Sequence, residues 1–137
     1  ETIHMRVNQM SDSADHVAHF LDSHSKIDKV FYPGLASHPG HELAMHQMSG
    51  KGGSMIGFTV AGGKAAAFDL MNKLRVIDIS NNLGDSKSLI THPASTTHRR
   101  LDPETRAQMG ITESLARLSV GLEHSSDLIK DLERALR

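Results

Sequence analysis

The sequence predicts an α+β domain, with a small, mainly antiparallel sheet and helices packed on one face. Two patterns predict this class. Segments of alternating apolar and polar residues, typical of half-buried strands, are separated by segments with apolar residues at spacings of three and four, typical of helices. The predicted order is α, β, α, β, α, β, loop, β, α, and a chain of 137 residues suits one such domain with one core.

The first helix is predicted to reach about His24. Its apolar residues form one stripe, at spacings of three and four: Ile3, Val7, Met10, Ala14, Val17 and Leu21. The chain opens in helical register, without an N-cap residue or an initiator methionine. We therefore expect a piece of a longer protein that is entered in the middle of a helix.

A short strand and a short helix are predicted next. Lys29–Tyr32 has the composition of a strand, and Tyr32–Gly34 ends it with the Pro-Gly pair of a turn. Pro39 lies at the start of a predicted helix that extends to about Met48. The glycine-rich residues 49–53 are predicted to form a flexible loop.

The middle of the chain predicts a strand, a helix and another strand. Met55–Val60 alternates large apolar residues with smaller ones, which is typical of a strand. Gly62 and Gly63 form a turn, and Lys64–Leu74 is rich in helix formers with its apolar residues on one face. Arg75–Ile79 is predicted to be a strand.

The following region is predicted to be mostly irregular. Ser80–Asp85 is a polar loop, and Ser88–His98 is expected to be extended or irregular because Pro93 breaks any helix. Pro103–Gln108 can form one helical turn, which Gly110 ends.

A strand and a helix are predicted at the end of the chain. Ala116–Leu122 has the period-two alternation of a half-buried strand. Ser125 or Ser126 can cap a helix that extends through Arg137. The buried face of that helix consists of four apolar residues: Leu128, Ile129, Leu132 and Leu136.

Composition excludes several classes of partner. The net charge of -1, with histidine neutral, provides no basic field for nucleic acid, and there is no apolar run of about 18 residues to span a membrane. The absence of cysteine excludes disulfides and thiolate metal sites and is typical of a reducing compartment, so we expect a cytoplasmic protein.

Two further motifs favour structural interpretations. His38, His41 and His46 have a spacing that could suggest a metal site, but residues five apart lie about 140° from one helix face, which favours surface histidines. The glycine-rich stretches around Lys51 and Lys64 lack the Ser or Thr that follows the lysine of a phosphate loop. They are predicted to be glycine turns.

Arg117 is the candidate binding residue. It alternates with the apolar residues of the last strand, and its neighbours on the same face, Ser119 and Gly121, leave space around the guanidinium. A planar guanidinium matches a carboxylate through two parallel hydrogen bonds. Composition alone favours the alternative, a surface salt bridge to Glu113 or Glu123.

Three long motifs carry a family resemblance. They are "YPGLASHPGHELAMHQMSGKGGSMIGF" (residues 32–58), "LGDSKSLITHPASTTH" (residues 83–98) and "ARLSVGLEHSSDLIKDLERAL" (residues 116–136). Together they resemble the C-terminal domain of the Cys/Met-metabolism enzymes that use pyridoxal phosphate. This family includes cystathionine synthases and lyases, methionine γ-lyase and the homoserine-ester sulfhydrylases.

The resemblance implies a fold-type-I enzyme in which residues 1–137 are the substrate-clamping C-terminal domain. Residues 1–24 would then continue a helix from a missing large domain. In the family pattern Arg117 grips the α-carboxylate of the amino-acid substrate, and Asn82 lies near the same carboxylate. Most lyases and cystathionine synthases have serine at the position of Asn82, whereas members of the O-succinylhomoserine sulfhydrylase type have asparagine.

The resemblance also implies pyridoxal phosphate in the intact enzyme, which is expected to be a homo-oligomer, commonly a tetramer. The family attaches the cofactor to a lysine in a Ser-x-Thr-Lys motif, and this sequence has none, because Lys51, Lys64 and Lys87 lie in other contexts. We therefore expect neither bound cofactor nor catalytic residues on this chain. Without them the isolated chain should be inactive.

The expected activity of the intact enzyme is γ-replacement of an activated homoserine by sulfide, which gives homocysteine for methionine biosynthesis. Three alternatives stay open. The intact enzyme could be of the cystathionine γ-synthase or methionine γ-lyase type. The chain could instead be an independent anion-binding domain, or an inactive stable fragment.

Overall fold

The computed structural model describes residues 1–137, and it confirms the α+β class. One five-stranded sheet is accompanied by five α-helices and a short 3-10 turn at Pro93–Ser95. In chain order the elements are α1 (Ile3–Asp22), β1 (Ile27–Phe31), α2 (His41–Gln47), β2 (Met55–Val60), α3 (Gly63–Lys73), β3 (Asp78–Ile79), β4 (Leu89–Thr91), α4 (Pro103–Gln108), β5 (Leu115–Ser119) and α5 (Ser125–Ala135). No helix is long and apolar enough to cross a membrane.

The sheet is mainly antiparallel, as expected. Its strand order is β1-β2-β5-β4-β3, so β5, close to the C-terminus, lies in the centre. The pairs β1/β2, β2/β5 and β5/β4 are antiparallel, and the short edge strand β3 is parallel to β4. A central strand is held on both edges by ladder hydrogen bonds, so side chains on β5 stand on the most rigid part of the sheet.

The two faces of the sheet have different neighbours. Phe58 lies opposite Ala116, and Ile56 lies opposite Leu118, and all four residues are fully buried. They belong to one core cluster with residues of α1, α3 and α5, so these three helices pack on this face. Arg117 points to the other face because successive side chains of a strand alternate.

One strand was not predicted. Ser88–His98 was expected to be extended or irregular, but Leu89–Thr91 forms β4, next to β5. All three of its residues are buried, and Ile90 is completely inaccessible. A run of three residues that are buried on both faces has no alternation to reveal it, which is why the sequence pattern did not predict the strand.

The prediction of a strand over Arg75–Ile79 was only partly right. Only Asp78–Ile79 pairs with a neighbour. The N–H groups of the three preceding residues bind instead to the buried carboxylate of Asp131, at 3.0 Å from Arg75, 2.8 Å from Val76 and 3.1 Å from Ile77. One side chain from α5 therefore replaces the neighbouring strand for this segment.

Several predicted boundaries shift by a few residues. The second helix begins at His41 rather than at Pro39, and the last helix ends at Ala135. The cap of that helix is the side chain of His124, whose Nδ1 accepts from the N–H of Ser126, rather than a serine.

The start of α1 is not packed. Met10 and Leu21 are buried in the core, but three apolar residues of the first two turns are exposed: Ile3, Met5 and Val7. The apolar stripe predicted from the sequence is therefore covered only from Met10 onwards.

Asp131 should contribute to the stability of the fold in a pH-dependent way. Burial alone would raise the pKa of its carboxyl group, but the three backbone donors and Arg134 outweigh that effect and lower the pKa. A lowered folded pKa stabilises the protein above the unfolded pKa of about 3.9, and this contribution is lost as the pH falls through the folded value. Asp131→Asn should thus reduce the free energy of unfolding at neutral pH by about 1.5–3 kcal/mol.

Urea denaturation of both proteins between about pH 7 and pH 2 checks this prediction. The difference between them should shrink as the pH falls, because the asparagine does not titrate. The matched control is Asp69→Asn, which removes an exposed carboxylate paired with Lys73 on α3 and should change stability little at any pH. A pH-independent difference at Asp131 would contradict the account.

The second prediction concerns the docking of α5. Leu132 is completely buried in the core cluster, so Leu132→Asp places an unpaired charge there and should lower the free energy of unfolding by about 3 kcal/mol or more. Leu43→Asp, at an exposed position of α2, is the matched control and should cost much less. Equal melting temperatures for the Leu132 variant and the parent would mean that α5 does not dock.

Candidate functional site

Arg117 stands in the middle of the sheet, on the face away from the helices. Its partners across the neighbouring strands are Gly57 on β2 and Thr91 on β4. Gly57 has no side chain and Thr91 has a short one, so neither neighbour covers the guanidinium. The sequence pattern predicted this placement from the alternation of β5 alone.

The guanidinium has few partners within the protein. Its Nη2 donates to the carbonyl oxygen of Asn81 at 2.8 Å, and a second contact, to the carbonyl of Asn82, is long at 3.5 Å. The Nε–H of Arg117 is buried and has no acceptor. A buried donor without a partner costs about 1–3 kcal/mol, which an incoming oxygen would recover. One donor of the guanidinium is therefore unpaired within the chain.

The alternative of a salt bridge to Glu113 or Glu123 is wrong. Glu123 accepts from the N–H and the hydroxyl of Ser88, at 2.9 and 2.7 Å. Glu113 pairs with Arg106 at 3.3 Å and with Lys64 at 3.8 Å. Both carboxylates are engaged elsewhere, and Arg117 takes part in no ion pair.

The loop Ser80–Gly84 is held against Arg117 by polar side chains of the sheet. The N–H of Gly84 donates to the hydroxyl of Ser119 at 2.9 Å, and Thr91 donates to the side-chain oxygen of Asn81 at 2.7 Å. Because Ser119 and Thr91 lie on the same sheet face as Arg117, the loop carbonyls come to the guanidinium. The structure thus places the backbone carbonyl of Asn82 3.5 Å from Nη2 of Arg117.

Three details of this site differ from expectation or were missed. Asn81, not Asn82, makes the short contact with Arg117, and no sequence signal distinguishes the two. The amide side chain of Asn82 is exposed and has no partner within the chain. The guanidinium also contacts the loop carbonyls, whereas its small neighbours on the strand predicted open space around it.

A glycine allows a second segment to approach β5. Gly121 follows the strand, and a Cβ atom there would lie 2.6 Å from the backbone nitrogen of Ser88, too close for any side chain. The N–H of Gly121 donates to the hydroxyl of Ser88 at 2.8 Å. This contact and the Glu123 carboxylate fix Ser88 just before β4, so the segment between β3 and β4 is held both at Gly84 and at Ser88.

The histidines with metal-like spacing have separate structural roles. His38 accepts from the N–H of Gly40 at 2.9 Å, and His41 contacts the carbonyl of Pro33 at 2.8 Å. His46 is exposed. No group of three or more histidine, aspartate and glutamate side chains is placed to hold a metal ion.

The lysines do not fit pyridoxal phosphate. A lysine that forms an imine needs a neutral amine, which burial or a neighbouring cation can supply. Here no lysine is buried, and several are paired with carboxylates. The clearest case is Lys87, whose hydrogen bond to Asp78 raises the pKa of its amine. The lysines of this chain therefore do not match the lysine to which the cofactor attaches.

Known proteins resemble the chain along its whole length. It is 49% identical over 140 residues to an O-succinylhomoserine sulfhydrylase of Mycobacterium tuberculosis, and the match covers 99% of the chain and 34% of the relative. It is 46% identical over 136 residues to an L-methionine gamma-lyase of Fusobacterium nucleatum subsp. polymorphum, with the same coverage. The chain thus spans about a third of the length of the curated relatives that it matches.

A solved structure matches the fold closely. A Campylobacter jejuni protein designated O-acetylhomoserine (thiol)-lyase, described with N'-pyridoxyl-lysine-5'-monophosphate, superposes with a TM-score of 0.93 at 42% identity, over 98% of this chain and 32% of that one. The model of one family, described as Cys/Met metabolism PLP-dependent enzyme, matches residues 1–137. The chain therefore belongs to the family of Cys/Met-metabolism enzymes that depend on pyridoxal phosphate.

Proposed function

We propose that this chain is the substrate-clamping domain of an O-succinylhomoserine sulfhydrylase. The intact enzyme would replace the γ-ester of an activated homoserine with sulfide and release homocysteine. The observation that carries the proposal is the buried Nε–H of Arg117, which has no acceptor within the chain. The likeness to the Mycobacterium tuberculosis sulfhydrylase supports the choice of activity.

In this proposal Arg117 holds the α-carboxylate of the substrate. Its Nε–H and an Nη2 hydrogen lie along one edge of the guanidinium, and an edge of this kind matches the two oxygens of a carboxylate. One Nη2 hydrogen is already directed to the carbonyl of Asn81, which fixes the rotation of the fork. Because β5 is the central strand, the carboxylate would be held on a rigid support.

Asn82 is proposed to lie beside the bound carboxylate. Its carbonyl is 3.5 Å from Nη2 of Arg117, and its exposed amide carries two free donors. A small rotation of this side chain would let it donate to a carboxylate held by the arginine. The asparagine would then serve where many relatives have serine.

The remaining machinery is proposed to lie in the rest of the intact enzyme. Pyridoxal phosphate, when bound there, would supply an electron sink for bonds at the substrate's α-carbon. The lysine that attaches the cofactor and the large domain would come from outside residues 1–137. The contribution of this chain is binding and orientation, which can lower a barrier by about 7 kcal/mol or more when the reacting geometry is fixed.

A lyase activity is the second candidate. The L-methionine gamma-lyase of Fusobacterium nucleatum is nearly as similar as the sulfhydrylase, and the same clamp would serve both reactions. Assays of the full-length enzyme separate the two: succinyl- and acetyl-homoserine and methionine, each with sulfide, with cysteine and without a nucleophile. Homocysteine formed only with ester and sulfide supports the proposal, whereas release of methanethiol from methionine contradicts it.

The third prediction tests the clamp. In the full-length enzyme Arg117→Ala should lower kcat/KM by about 30- to 1,000-fold, equivalent to ~2–4 kcal/mol, because one partner of a desolvated charge pair is lost. Arg117→Lys should recover only part of the activity, since an ammonium cannot form the planar fork. Steady-state kinetics with the homoserine ester as the varied substrate provide the measurement.

The melting temperature of each variant is the control for this prediction. Arg117 is half-buried and makes one short hydrogen bond, so both variants should melt close to the parent temperature. If Arg117→Ala unfolds the domain while the kinetics of the surviving enzyme stay intact, the arginine has a structural role and the proposed clamp is wrong.

A further inference from the structure

We propose that Arg99 and Arg100, together with the side chain of Asn81, form a second anion subsite that receives the distal carboxylate of the acyl group on the substrate. This inference deepens the proposed function and rests on it. In this proposal the chain makes the intact enzyme prefer a succinyl ester to an acetyl ester, because only the succinyl group carries a second carboxylate.

The subsite is a polar cavity of about 390 Å³ beside the loop Ser80–Gly84. Neither an apolar nor an acidic residue lines it. The lining consists of Asn81, Ser95, Thr96, Thr97, Arg99 and Arg100. The two guanidinium groups and the Asn81 amide provide donors without a competing carboxylate, which is the chemistry that recognises an anion.

Both arginines are free of partners. Neither guanidinium takes part in an ion pair or donates a hydrogen bond within the chain, and both side chains are exposed. The acidic residue nearest in sequence, Asp102, is occupied because its carboxylate caps α4 and accepts from the N–H and the hydroxyl of Thr105. Two adjacent cations without a counter-ion leave a local positive field at the cavity.

Asn81 connects this cavity to the α-carboxylate clamp. Its backbone carbonyl accepts from Arg117 at 2.8 Å, and the residue also lines the cavity. The side-chain oxygen is used by Thr91, so the amide NH₂ is left as a donor. Asn81 therefore lies between the guanidinium of Arg117 and the cavity lined by Arg99 and Arg100.

The cavity wall formed by Thr96 contacts β4, the strand next to the one that carries Arg117. The hydroxyl of Thr96 lies 2.9 Å from that of Thr91 and donates to the carbonyl of His92 at 2.8 Å. Thr91 is the cross-strand partner of Arg117. Thr91 is therefore a shared neighbour of Arg117 and of the cavity wall. A substrate with a carboxylate at each end fits such a pair of sites better than one with a single carboxylate.

The test compares two esters in the full-length enzyme. The double variant Arg99→Gln/Arg100→Gln should lower kcat/KM for O-succinylhomoserine at least tenfold and leave that for O-acetylhomoserine within about twofold. Arg99→Lys/Arg100→Lys should restore part of the loss, because it keeps the charge. The matched control is Arg75→Gln, an exposed arginine that lines a different cavity and should affect neither ester.

A second readout does not depend on activity. Calorimetric titration with succinate should show binding to the full-length parent enzyme and at least tenfold weaker binding to the double glutamine variant, with acetate bound weakly by both. If the enzyme turns over neither ester, the proposed function fails, and this titration still tests the subsite. Equal loss with both esters, no loss with either, or unchanged succinate binding in the variant would overturn the inference.

Discussion

The strict alternation of β5 is the constraint that connects the core of this protein with its candidate site. Ala116 and Leu118 are completely buried under the helices, so the strand cannot rotate or slip by one residue without exposing them. The same register directs Arg117 and Ser119 to the opposite face. The position of the guanidinium is thus determined by apolar residues of the core.

Polar side chains then bring the chain to that face. Ser119 and Thr91 hold the loop Ser80–Gly84, and Glu123 holds Ser88 through two hydrogen bonds. On the helical side, the carboxylate of Asp131 accepts hydrogen bonds from the N–H groups of Val76 and Ile77, just before β3. Each interaction gives a hydrogen-bond partner to a backbone or hydroxyl group that would otherwise lack one. These hydrogen bonds therefore fix the position of the loop. The guanidinium of Arg117 is the exception, because its buried Nε–H is left without an acceptor.

Most of the fold could be predicted from the sequence because its long elements repeat a clear period. The stripe of α1 and the alternation of Met55–Val60 each extend far enough to distinguish helix from strand. Short elements fail this criterion: β4 has three residues, all buried. The segment Arg75–Ile77 was misassigned because its partner is a carboxylate more than fifty residues later, which no local pattern reveals.

The candidate site, too, has features that the sequence could predict and others that only the folded structure shows. Arg117 could be singled out from its strand period and its small neighbours, whereas its proposed role comes from the resemblance. Its lack of an ion pair could not be predicted, because the partners of Glu113 and Glu123 are set by the tertiary contacts of Arg106 and Ser88. Arg99 and Arg100 lie in an irregular segment, where only the folded loop shows that they share a cavity with Asn81.

The central claim is that the buried Nε–H of Arg117 receives a substrate carboxylate. A crystal structure of the full-length enzyme with norvaline, an amino acid without a γ leaving group, tests it most directly. The account predicts one carboxylate oxygen within about 3.2 Å of Nε and the other within the same distance of Nη2, with the loop carbonyl of Asn81 still in place. A carboxylate bound elsewhere, with Nε still lacking an acceptor, would contradict it.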